Sequence, residues 1–597
     1  MDSILENHTA VMAPAWLQIC LLSSGSVVPV FRRALLFSNR VAVQDETGTF
    51  TYEALHQAAA ALSYDIDYQL VGTNGQQTIS YMCGNDASHV IAQWAIWMSG
   101  HIAVPLSPLH PAELLKYYLT DSTSALMIAS KDYENILKPI SQDTNIPLIN
   151  TECQHDRSKQ LEVGSEVGNE NSYYDNADAM LLYTSGTTSQ PKGVVWGHRM
   201  LSVQIAALHS AWQYNSNDVV LHCLPLHHVH GQVNSLNATL ASGARIRMLP
   251  SFQPTTVWSR LLGMDNKDEP KATVFHGVPA MYARLAAEHE RMFANKKTAD
   301  YVRSTLANKM RLMCAGSSSL PGKLYHRWEE ISGHRLLERY GMTEVGMALS
   351  NPYHPVEDRT INSVGLPLPG VSARVATVTD DGKLEPLVTV ECDEPEYRIC
   401  LNHLSVANAA EHSVDSKKYN WGKPKVTIHR KSETDIYEGE LLLKGPSVFT
   451  TYWNKTNRLF SKDFSQGWFR TGDTVSFSDN KFRILGRTSI DIIKTVGYKV
   501  SALQVEAAIL ENGVVADVAV LGIDNENLGE IIVAVVVLKD KCKLTLQELK
   551  LDAGKRLAPY QLPRKLILVD GMPRNNMGKL DKKAIKKIIL EKMHRTG

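Results

Sequence analysis

Short apolar runs alternate with longer amphipathic runs along most of the chain, and this alternation restricts the fold more than any other feature. Residues 77–130 contain the segments QTISYMC, SHVIAQWAIWMSG, HIAVPLS, PAELLKYYLTDS and ALMIAS in this order. Apolar runs of about four to eight residues are typical of buried strands, and longer runs with helical spacing are typical of helices. Strands that alternate with helices predict parallel sheets covered by helices. We therefore expect an α/β fold.

Composition limits the class of protein. The chain has 597 residues, of which 44% are hydrophobic and 21% charged, as in ordinary globular proteins. This length leaves room for several lobes with cores of their own. Basic and acidic residues balance at 62 each, so no overall basic character points to nucleic acid. No apolar run approaches the roughly 18 residues that span a bilayer. The eight cysteines include no Cys-x-x-Cys pair, which favours a reducing compartment over a zinc knuckle.

Two changes of character divide the sequence. Residues 379–435 are polar and predict a surface insertion with some strand content. From Arg487 onwards, strand-like and helical segments follow one another in the order of a small α+β domain. We expect a large N-terminal region of mixed sheets with covering helices over residues 41–486, and a small C-terminal domain over residues 487–597.

Residues 1–40 precede the regular pattern. They contain the acids Asp2 and Glu6, and no lysine or arginine before Arg32. Transit peptides of organelles are basic and poor in acids. An irregular leader and a targeting segment therefore both stay open as interpretations.

The segment YTSGTTSQPKG (Tyr183–Gly193) joins two strand-like runs, ADAMLLYT and GVVW. Glycines let backbone N–H groups approach an anion closely, while the hydroxyl groups and Lys192 add donors and charge. The spacing differs from the Walker pattern, which ends in Gly-Lys-Ser/Thr at a helix start. The segment predicts a phosphate-binding loop, and the alternative is a polar turn.

Six further motifs follow in a fixed order. They are LPLHHVHG from residue 224, VFHGVPAMYARL from 274, AGSSSLP from 315, ERYGMTEVG from 338, GWFRTGD from 467 and PRNNMGKLDK from 573. With the loop, they resemble the adenylate-forming superfamily of acyl-CoA synthetases, luciferases and peptide-synthetase adenylation domains, and most of all its malonyl-CoA synthetases. The resemblance begins near residue 41. It implies that residues 41–486 bind ATP and the acyl group, that residues 487–597 form a small mobile lid, and that the protein is mitochondrial.

The resemblance also implies the reaction. A carboxylate and ATP form an acyl adenylate and pyrophosphate, and the thiol of coenzyme A then displaces AMP. The expected partners are therefore a small carboxylate, ATP with Mg²⁺, and coenzyme A. A free carboxylate is a poor electrophile because its leaving group would be oxide, whereas an acyl adenylate releases AMP. Donors, cations and metal must stabilise the negative charge around the phosphates.

Each motif of the nucleotide site is assigned by resemblance. The β- and γ-phosphates are held by loop residues Thr184, Ser185, Gly186, Thr187, Thr188 and Lys192. Thr343 bonds the α-phosphate, Glu344 holds Mg²⁺ together with Thr187, and Tyr340 lies against adenine. The nucleotide site is completed by Ser317, Glu338, Gly341 and Met342. For Thr343 and Glu344 the alternative is a helix start, with the threonine as the cap.

The ribose and the lid have their own residues in the resembling family. Asp473 and Arg487 match the positions that contact the ribose, and their alternatives are a turn residue and a domain-boundary salt bridge. Lys579 matches the catalytic lysine, which bridges two anions that repel each other, the substrate carboxylate and the α-phosphate. Its alternative is a surface lysine. Gly497 matches a lid loop that leaves room for pantetheine.

Arg284 is the clearest indication of the substrate. The family places the segment HGVPAMYARL along the acyl pocket, where a guanidinium group suits a second carboxylate. We therefore expect malonate or methylmalonate, and the alternative is a helix arginine that faces solvent. His228 and His230 are expected to line the acyl and coenzyme A paths rather than to bind metal.

Two departures from the family pattern affect these predictions. Ser189 occupies the phosphate loop where glycine is usual, and a positive φ there would add strain of about 1 kcal/mol. One extra residue between Arg487 and Gly497 leaves the hinge unassigned among residues 489–491.

Three functions remain open on the sequence. The first is an acid–CoA ligase that acts on malonate. The second is a medium-chain fatty acyl-CoA synthetase or a domain that loads a carrier protein. The third is a non-catalytic binding protein with this fold, against which the joint presence of the site motifs argues.

Overall fold

The computed structural model describes residues 27–152, 167–184, 191–264, 270–379, 383–393, 424–454, 463–495, 498–525, 528–574 and 580–596. The predictions for Ser185, Gly186, Thr187, Thr188, Ser189, Gly497 and Lys579 lie outside the described residues, as do those for residues 1–26.

The first of four sheets has nine strands. From one edge to the other they are β15 (Leu366–Pro367), β14 (Gly346–Ser350), β13 (Leu337–Met342), β12 (Leu312–Ala315), β11 (Val274–Gly277), β9 (Val219–His222), β10 (Arg245–Met248), β1 (Val41–Gln44) and β2 (Thr49–Thr51). The strands from β13 to β1 run parallel, and β14, β15 and β2 are antiparallel to their neighbours. This sheet is therefore mixed, as expected.

The second sheet has six strands. They are β6 (Leu148–Asn150), β5 (Leu126–Ala129), β3 (Thr78–Met82), β4 (Ile102–Pro105), β7 (Asp178–Thr184) and β8 (Lys192–Gly197). All neighbours are parallel except β7 and β8, which form an antiparallel pair around residues 185–191. The strand assignments in the segments from residue 77 to residue 130 are confirmed.

The third sheet is antiparallel. Its strands are β18 (Lys425–Ile428), β17 (Leu384–Glu391), β16 (Ser372–Val378), β19 (Tyr437–Lys444), β21 (Trp468–Ser478) and β20 (Phe464–Ser465), with β22 (Lys481–Arg487) paired to β21. Two of these strands, β17 and β18, lie within residues 379–435, which agrees with the strand content predicted for that insertion.

The fourth sheet follows Arg487 in the chain. Its strands are β24 (Tyr498–Ser501), β23 (Ile492–Thr495), β26 (Gly529–Leu538) and β25 (Val515–Asn525), with β27 (Lys565–Leu568) parallel to β26. They have a core of their own, which includes Val505, Ile532 and Val536. The α/β fold with a small α+β C-terminal part is confirmed, whereas the mobility of that part stays a prediction.

Helices connect and cover the strands. They are α1 (Val30–Arg33), α2 (Tyr52–Gln69), α3 (Ala87–Met98), α4 (Ala112–Asp121), α5 (Glu134–Thr144), α6 (Asn171–Tyr174), α7 (His198–Trp212), α8 (Ala238–Ala241), α9 (Pro254–Leu262), α10 (Pro279–Met292), α11 (Lys296–Lys309), α12 (Gly322–Ser332), α13 (Ala502–Leu510), α14 (Leu546–Ala553) and α15 (Lys582–Thr596). A π-helix spans His230–Asn237. Within the described ranges, no helix is long and apolar enough to cross a membrane.

Tryptophans join the main core to the hairpin of β13 and β14. One continuous apolar cluster contains side chains from the first three sheets, including fully buried Trp196 and Trp212. The Trp196 indole donates to the carbonyl of Thr343 over 2.9 Å, and that of Trp212 donates to the hydroxyl of Ser350 over 3.0 Å. Core packing therefore fixes the hairpin that carries the motif YGMTEVG.

Candidate active site

The hairpin turn between β13 and β14 presents Thr343 and Glu344. Gly346 has a φ of +65°, and a Cβ there would lie 2.0 Å from Oε1 of Gln204, which already accepts from the backbone N–H of Met347. A side chain at Gly346 would therefore collide with Gln204 and break this contact. It would also be strained, because L residues rarely adopt that φ. The alternative interpretation of Thr343 and Glu344 as a helix start is wrong, since the pair lies between two strands.

Gly341 and Met342 close the same hairpin. A Cβ at Gly341 would lie 2.1 Å from the carbonyl oxygen of Gly346, so glycine is required for the two strands to approach. The sulfur of Met342 lies 3.8 Å from the hydroxyl of Tyr340. Gly341 therefore allows the close pairing of β13 and β14, and Met342 contacts the Tyr340 side chain.

Glu344 is buried and has a defined partner. Its Oε1 accepts a hydrogen bond of 3.0 Å from the Tyr452 hydroxyl. Nζ of Lys192 lies 4.7 Å from the centre of the Tyr452 ring, within the range of a cation–π contact. Burial raises the pKa of Glu344, while the Tyr452 hydrogen bond and the charges of Arg487 and Lys192 lower it. Tyr452 thus contacts both the carboxylate of Glu344 and the ammonium group of Lys192.

The flanks of the predicted phosphate loop are in register. Thr184 at the end of β7 pairs with Lys192 at the start of β8. The Tyr117 hydroxyl donates to the carbonyl of Pro191 over 2.7 Å, and the backbone N–H of Trp453 donates to Gly193 over 2.8 Å. Both contacts fix the exit of the loop close to Tyr452.

Asp473 links two of the motifs. Its Oδ2 accepts from the Tyr340 hydroxyl over 2.5 Å, and its Oδ1 lies 3.0 Å from Nε of Arg487. Arg487 is the register partner of Asp473 on β22 and also donates to the carbonyl of Thr471 over 2.7 Å. The turn interpretation of Asp473 is wrong, because it lies inside β21. The salt-bridge alternative for Arg487 is observed, and this pairing leaves its predicted contact with ribose open.

Ser317, His230 and Arg339 meet beyond the ends of the parallel strands. The hydroxyl of Ser317 lies 3.4 Å from Nδ1 of His230 and 3.5 Å from Nη2 of Arg339. Ser317 has a φ of 69°, which is uncommon for a residue with a side chain. Strain of this kind clusters at functional sites.

Arg339 is 2% exposed, and its Nε and Nη1 have no hydrogen-bond partner among the described residues. A Cβ at Gly316 would lie 2.5 Å from Nη1, so this glycine makes room for the guanidinium group. Burial lowers the pKa of Arg339 to about 10, which still leaves the group charged at neutral pH. The sequence analysis missed Arg339, although the arginine directly before Tyr340 in the motif ERYGMTE was a visible signal.

Arg284 has a different environment. It lies exposed on α10, and its guanidinium carbon is 4.9 Å from the ring centre of Phe252. Its role in substrate binding stays a prediction, because no contact observed among the described residues joins it to Ser317, His230 or Arg339. His228 is half-buried and packs against His227, with 4.0 Å between ring centres.

Glu338 precedes Arg339 and is buried. Burial raises the pKa of this carboxyl to about 8, and only a backbone hydrogen bond from Leu320 opposes the shift. Among the described residues, its Oε2 has no partner. Glu338 is therefore largely protonated at neutral pH.

Charged side chains fix the junction with the C-terminal part. Nζ of Lys582 lies 2.5 Å from Asp491 and 2.7 Å from Glu506, and all three side chains are nearly buried. The other oxygen of Asp491 accepts from the backbone N–H of Arg487 over 3.0 Å. Of the candidate hinge residues, Asp491 thus contacts both the end of β22 and α15.

The fold and these motifs define an enzyme class. The model of the AMP-binding enzyme family matches residues 30–391, and that of the AMP-binding enzyme C-terminal domain matches residues 504–579. The chain belongs to the family of AMP-binding enzymes.

The names of individual similar proteins are more specific about the substrate than the family is. The Homo sapiens protein named malonate–CoA ligase ACSF3, mitochondrial, is 41% identical over 562 residues, which is 93% of this chain and 91% of that protein. Malonate–CoA ligase of Arabidopsis thaliana is 34% identical over 605 residues, or 94% and 89%. The crystal structure of ATP-bound MatB from Rhodopseudomonas palustris has a TM-score of 0.74 at 25% identity and covers 94% of this chain and 99% of its own. A malonyl-CoA ligase complex with methylmalonyl-CoA and AMP is 30% identical with a TM-score of 0.56, covering 90% and 97%.

Proposed function

We propose that this enzyme is an ATP-dependent malonate–CoA ligase. The observation that carries the proposal is Arg339, a buried guanidinium group without a counterion among the described residues, beside Ser317 and one residue from Tyr340. An apolar acyl chain would leave this charge buried and unpaired, which is costly, whereas a second carboxylate pairs with it. The similarity to proteins named malonate–CoA ligases supports the same substrate class.

The reaction consists of two displacements. A carboxylate oxygen of malonate attacks the α-phosphorus of ATP, a new O–P bond forms, and the bond to pyrophosphate breaks. The sulfur of coenzyme A then attacks the carbonyl carbon of malonyl adenylate, AMP leaves with the bonding electrons, and the thiol loses its proton. Methylmalonate differs by one methyl group next to the reacting carboxylate and is the second candidate substrate.

The residues of the nucleotide site take the roles that their chemistry suits. Asp473 and Arg487 hold the ribose, Tyr340 supports adenine, and Thr343 bonds the α-phosphate. Lys192 and the loop before it neutralise the outer phosphates. Lys579 brings the two anions together, and residues 487–597 act as the lid that carries it.

Glu344 is the residue that would hold Mg²⁺. This hard cation prefers oxygen ligands beside phosphate oxygens, and a buried carboxylate near Lys192 fits that preference. The metal supplies positive charge to the phosphates. Tyr452 keeps the carboxylate in place and favours its ionised form, and Thr187 is the second proposed ligand.

Either Arg339 or Arg284 could bind the second carboxylate of the substrate, and the burial of Arg339 favours Arg339. Loss of one partner of a buried, hydrogen-bonded charge pair costs about 2–5 kcal/mol. At about 1.4 kcal/mol per tenfold, Arg339→Met should lower kcat/KM for malonate by roughly thirtyfold or more. Propionate has a methyl group in place of the second carboxylate, so its kcat/KM should fall much less.

The test compares Arg339→Met with the matched control Arg284→Met on malonate, propionate and octanoate, by pyrophosphate release. We expect only Arg339→Met to lose the preference for malonate over propionate. If Arg284→Met instead loses the preference for malonate over propionate, Arg284 is the residue that binds the second carboxylate. Wild-type activity on octanoate above that on malonate would contradict the proposal and favour a medium-chain synthetase.

We also propose a mitochondrial location, because the relatives at 40–42% identity are named mitochondrial. A fusion of residues 1–40 to a fluorescent protein should reach mitochondria. A diffuse cytosolic signal would assign the leader no targeting role.

A further inference from the structure

A buried group of neutral polar side chains surrounds His276 on strand β11. Nε2 of His276 is 2.6 Å from the Tyr214 hydroxyl, and this hydroxyl donates to the carbonyl of Asn234 over 2.9 Å. The ring of His276 meets that of His230 edge to face at 5.9 Å. The group therefore extends from the π-helix to the residue that touches Ser317.

The hydrogen bonds of Tyr214 assign the tautomer of His276. A tyrosine hydroxyl has one hydrogen, and the carbonyl of Asn234 can only accept it. Nε2 of His276 must therefore carry a hydrogen and donate to Tyr214. This leaves Nδ1 as an acceptor, and Nδ1 is buried with no partner among the described residues.

His276 and Arg339 lie on the same face of the nine-stranded sheet. In the parallel register, His276 pairs with Cys314, and Cys314 pairs with Leu337. Side chains alternate between faces, so Arg339, two residues after Leu337, points to the same side. Burial lowers the pKa of His276 to about 3, and the charge of Arg339 is the next largest cause, followed by His222 and Arg311. The imidazole is therefore neutral at every physiological pH.

Arg311, a second arginine near Tyr214, has a carboxylate partner, which Arg339 lacks among the described residues. Arg311 contacts the ring of Tyr214, and its Nε and Nη2 donate to the two oxygens of Asp218, both over 2.5 Å. In the part of the chain that the structure describes, no carboxylate pairs with Arg339. An acid beside Arg339 would compete with the substrate for its charge.

We propose that Tyr214 and His276 are positioning residues that give Arg339 a neutral neighbour and so reserve its charge for a carboxylate of the substrate. Tyr214 fixes the tautomer of His276, and Nδ1 of His276 then keeps a lone pair, rather than a second N–H, on the face of the sheet that also carries Arg339. The buried shell thereby determines the preference for dicarboxylates. This inference rests on the proposed role of Arg339.

The first test uses an isosteric pair of variants in the full-length enzyme, His276→Asn and His276→Asp. The readout is the ratio of kcat/KM for malonate to that for propionate, and turnover of propionate reports folded enzyme. His276→Asn is neutral, so its ratio should stay within about threefold of wild type. His276→Asp gives Arg339 an internal counterion, so its ratio should fall by at least about tenfold. Equal ratios in the two variants would overturn the proposal.

The second test asks whether Tyr214 acts through the tautomer. Tyr214→Phe frees His276 to carry its hydrogen on Nδ1, so the ratio should fall by about threefold to tenfold. In the His276→Asn background the same substitution should leave the ratio unchanged, because an amide has no tautomer to fix. Tyr325→Phe is the control, since that buried hydroxyl has no partner among the described residues. An equal loss in both backgrounds would refute the tautomer argument.

Arg339→Met in the same assay separates this inference from the proposed function. If that variant keeps the preference for malonate, the role of Arg339 is wrong and the inference falls with it. If it loses the preference while the two His276 variants remain equal, only the positioning role is wrong.

Discussion

Asp473→Asn should weaken ATP binding through the ribose hydroxyls. In the structure each oxygen of Asp473 already has one partner, Tyr340 on Oδ2 and Arg487 on Oδ1. A carboxylate oxygen can accept more than one hydrogen bond, so these contacts are compatible with the proposed bond to a ribose hydroxyl. The substitution keeps the size of the side chain, removes its charge and replaces one acceptor oxygen with a donor.

The magnitude follows from these contacts. A hydrogen bond to a charged group contributes about 1.5–3 kcal/mol. The loss of one such bond to ribose should raise the KM for ATP by roughly tenfold to hundredfold at about 1.4 kcal/mol per tenfold. Folding should suffer less, because Arg487 keeps its bond to Thr471 and is 41% exposed.

The assay is malonate-dependent exchange between ATP and pyrophosphate, with ATP and 2′,3′-dideoxy-ATP, on wild type and Asp473→Asn. If Asp473 binds the hydroxyls, removing them from the nucleotide should abolish most of the effect of the substitution. If Asp473→Asn lowers the exchange activity with dideoxy-ATP by the same factor as with ATP, the ribose role is refuted. Asp473 would then serve only to join Tyr340 to Arg487.

Three further predictions concern protonation and the lid. Tyr452→Phe removes a hydrogen bond that lowers the pKa of Glu344, so the acidic limb of the pH–rate profile should move to higher pH; Tyr437→Phe, at a buried hydroxyl without a partner among the described residues, should not move it. Burial raises the pKa of Glu338 from 4.5 to about 8, so the folded state holds a proton that the unfolded state loses, and the free energy of unfolding should fall as pH rises through this window. Urea titrations at several pH values should show that Glu338→Gln flattens this decline, and an unchanged slope would contradict it. Lys579→Ala should abolish formation of malonyl adenylate yet still convert supplied adenylate to malonyl-CoA, and equal loss of both half-reactions would argue against a separate adenylation role.

The alternation of apolar and amphipathic runs was enough to predict parallel strands with covering helices. It did not predict where the sheets become antiparallel, because that depends on pairing between distant segments. The hairpin of β13 and β14 is the clearest case. The motif YGMTEVG also fits a helix start on local grounds, and the turn is favoured by distant contacts such as those of Trp196 and Gln204, which are 147 and 143 residues away from their partners.

The predicted site residues came from motifs, and the structure brings more of the predicted nucleotide residues into mutual contact than of the predicted acyl residues. Asp473 and Arg487 are adjacent in the structure because β21 and β22 pair them in register. The substrate prediction chose Arg284 because it lies within a segment that the resembling family places along the acyl pocket. Burial distinguishes the two arginines, and burial depends on packing between strands and helices that periodicity alone does not specify.

Arg339 also explains why specificity and stability conflict at this site. A buried guanidinium group loses its hydration, and a paired acid would compensate for that loss in the free enzyme. Arg311 has such a partner in Asp218, whereas Arg339 has the hydroxyl of Ser317 beside it and a glycine that leaves room for it. We therefore expect the free enzyme to be less stable than a variant in which Arg339 is neutralised. If Arg339 binds the second carboxylate as proposed, malonate should recover that deficit on binding whereas propionate should not, and the difference between the two acids would be the selectivity of the enzyme.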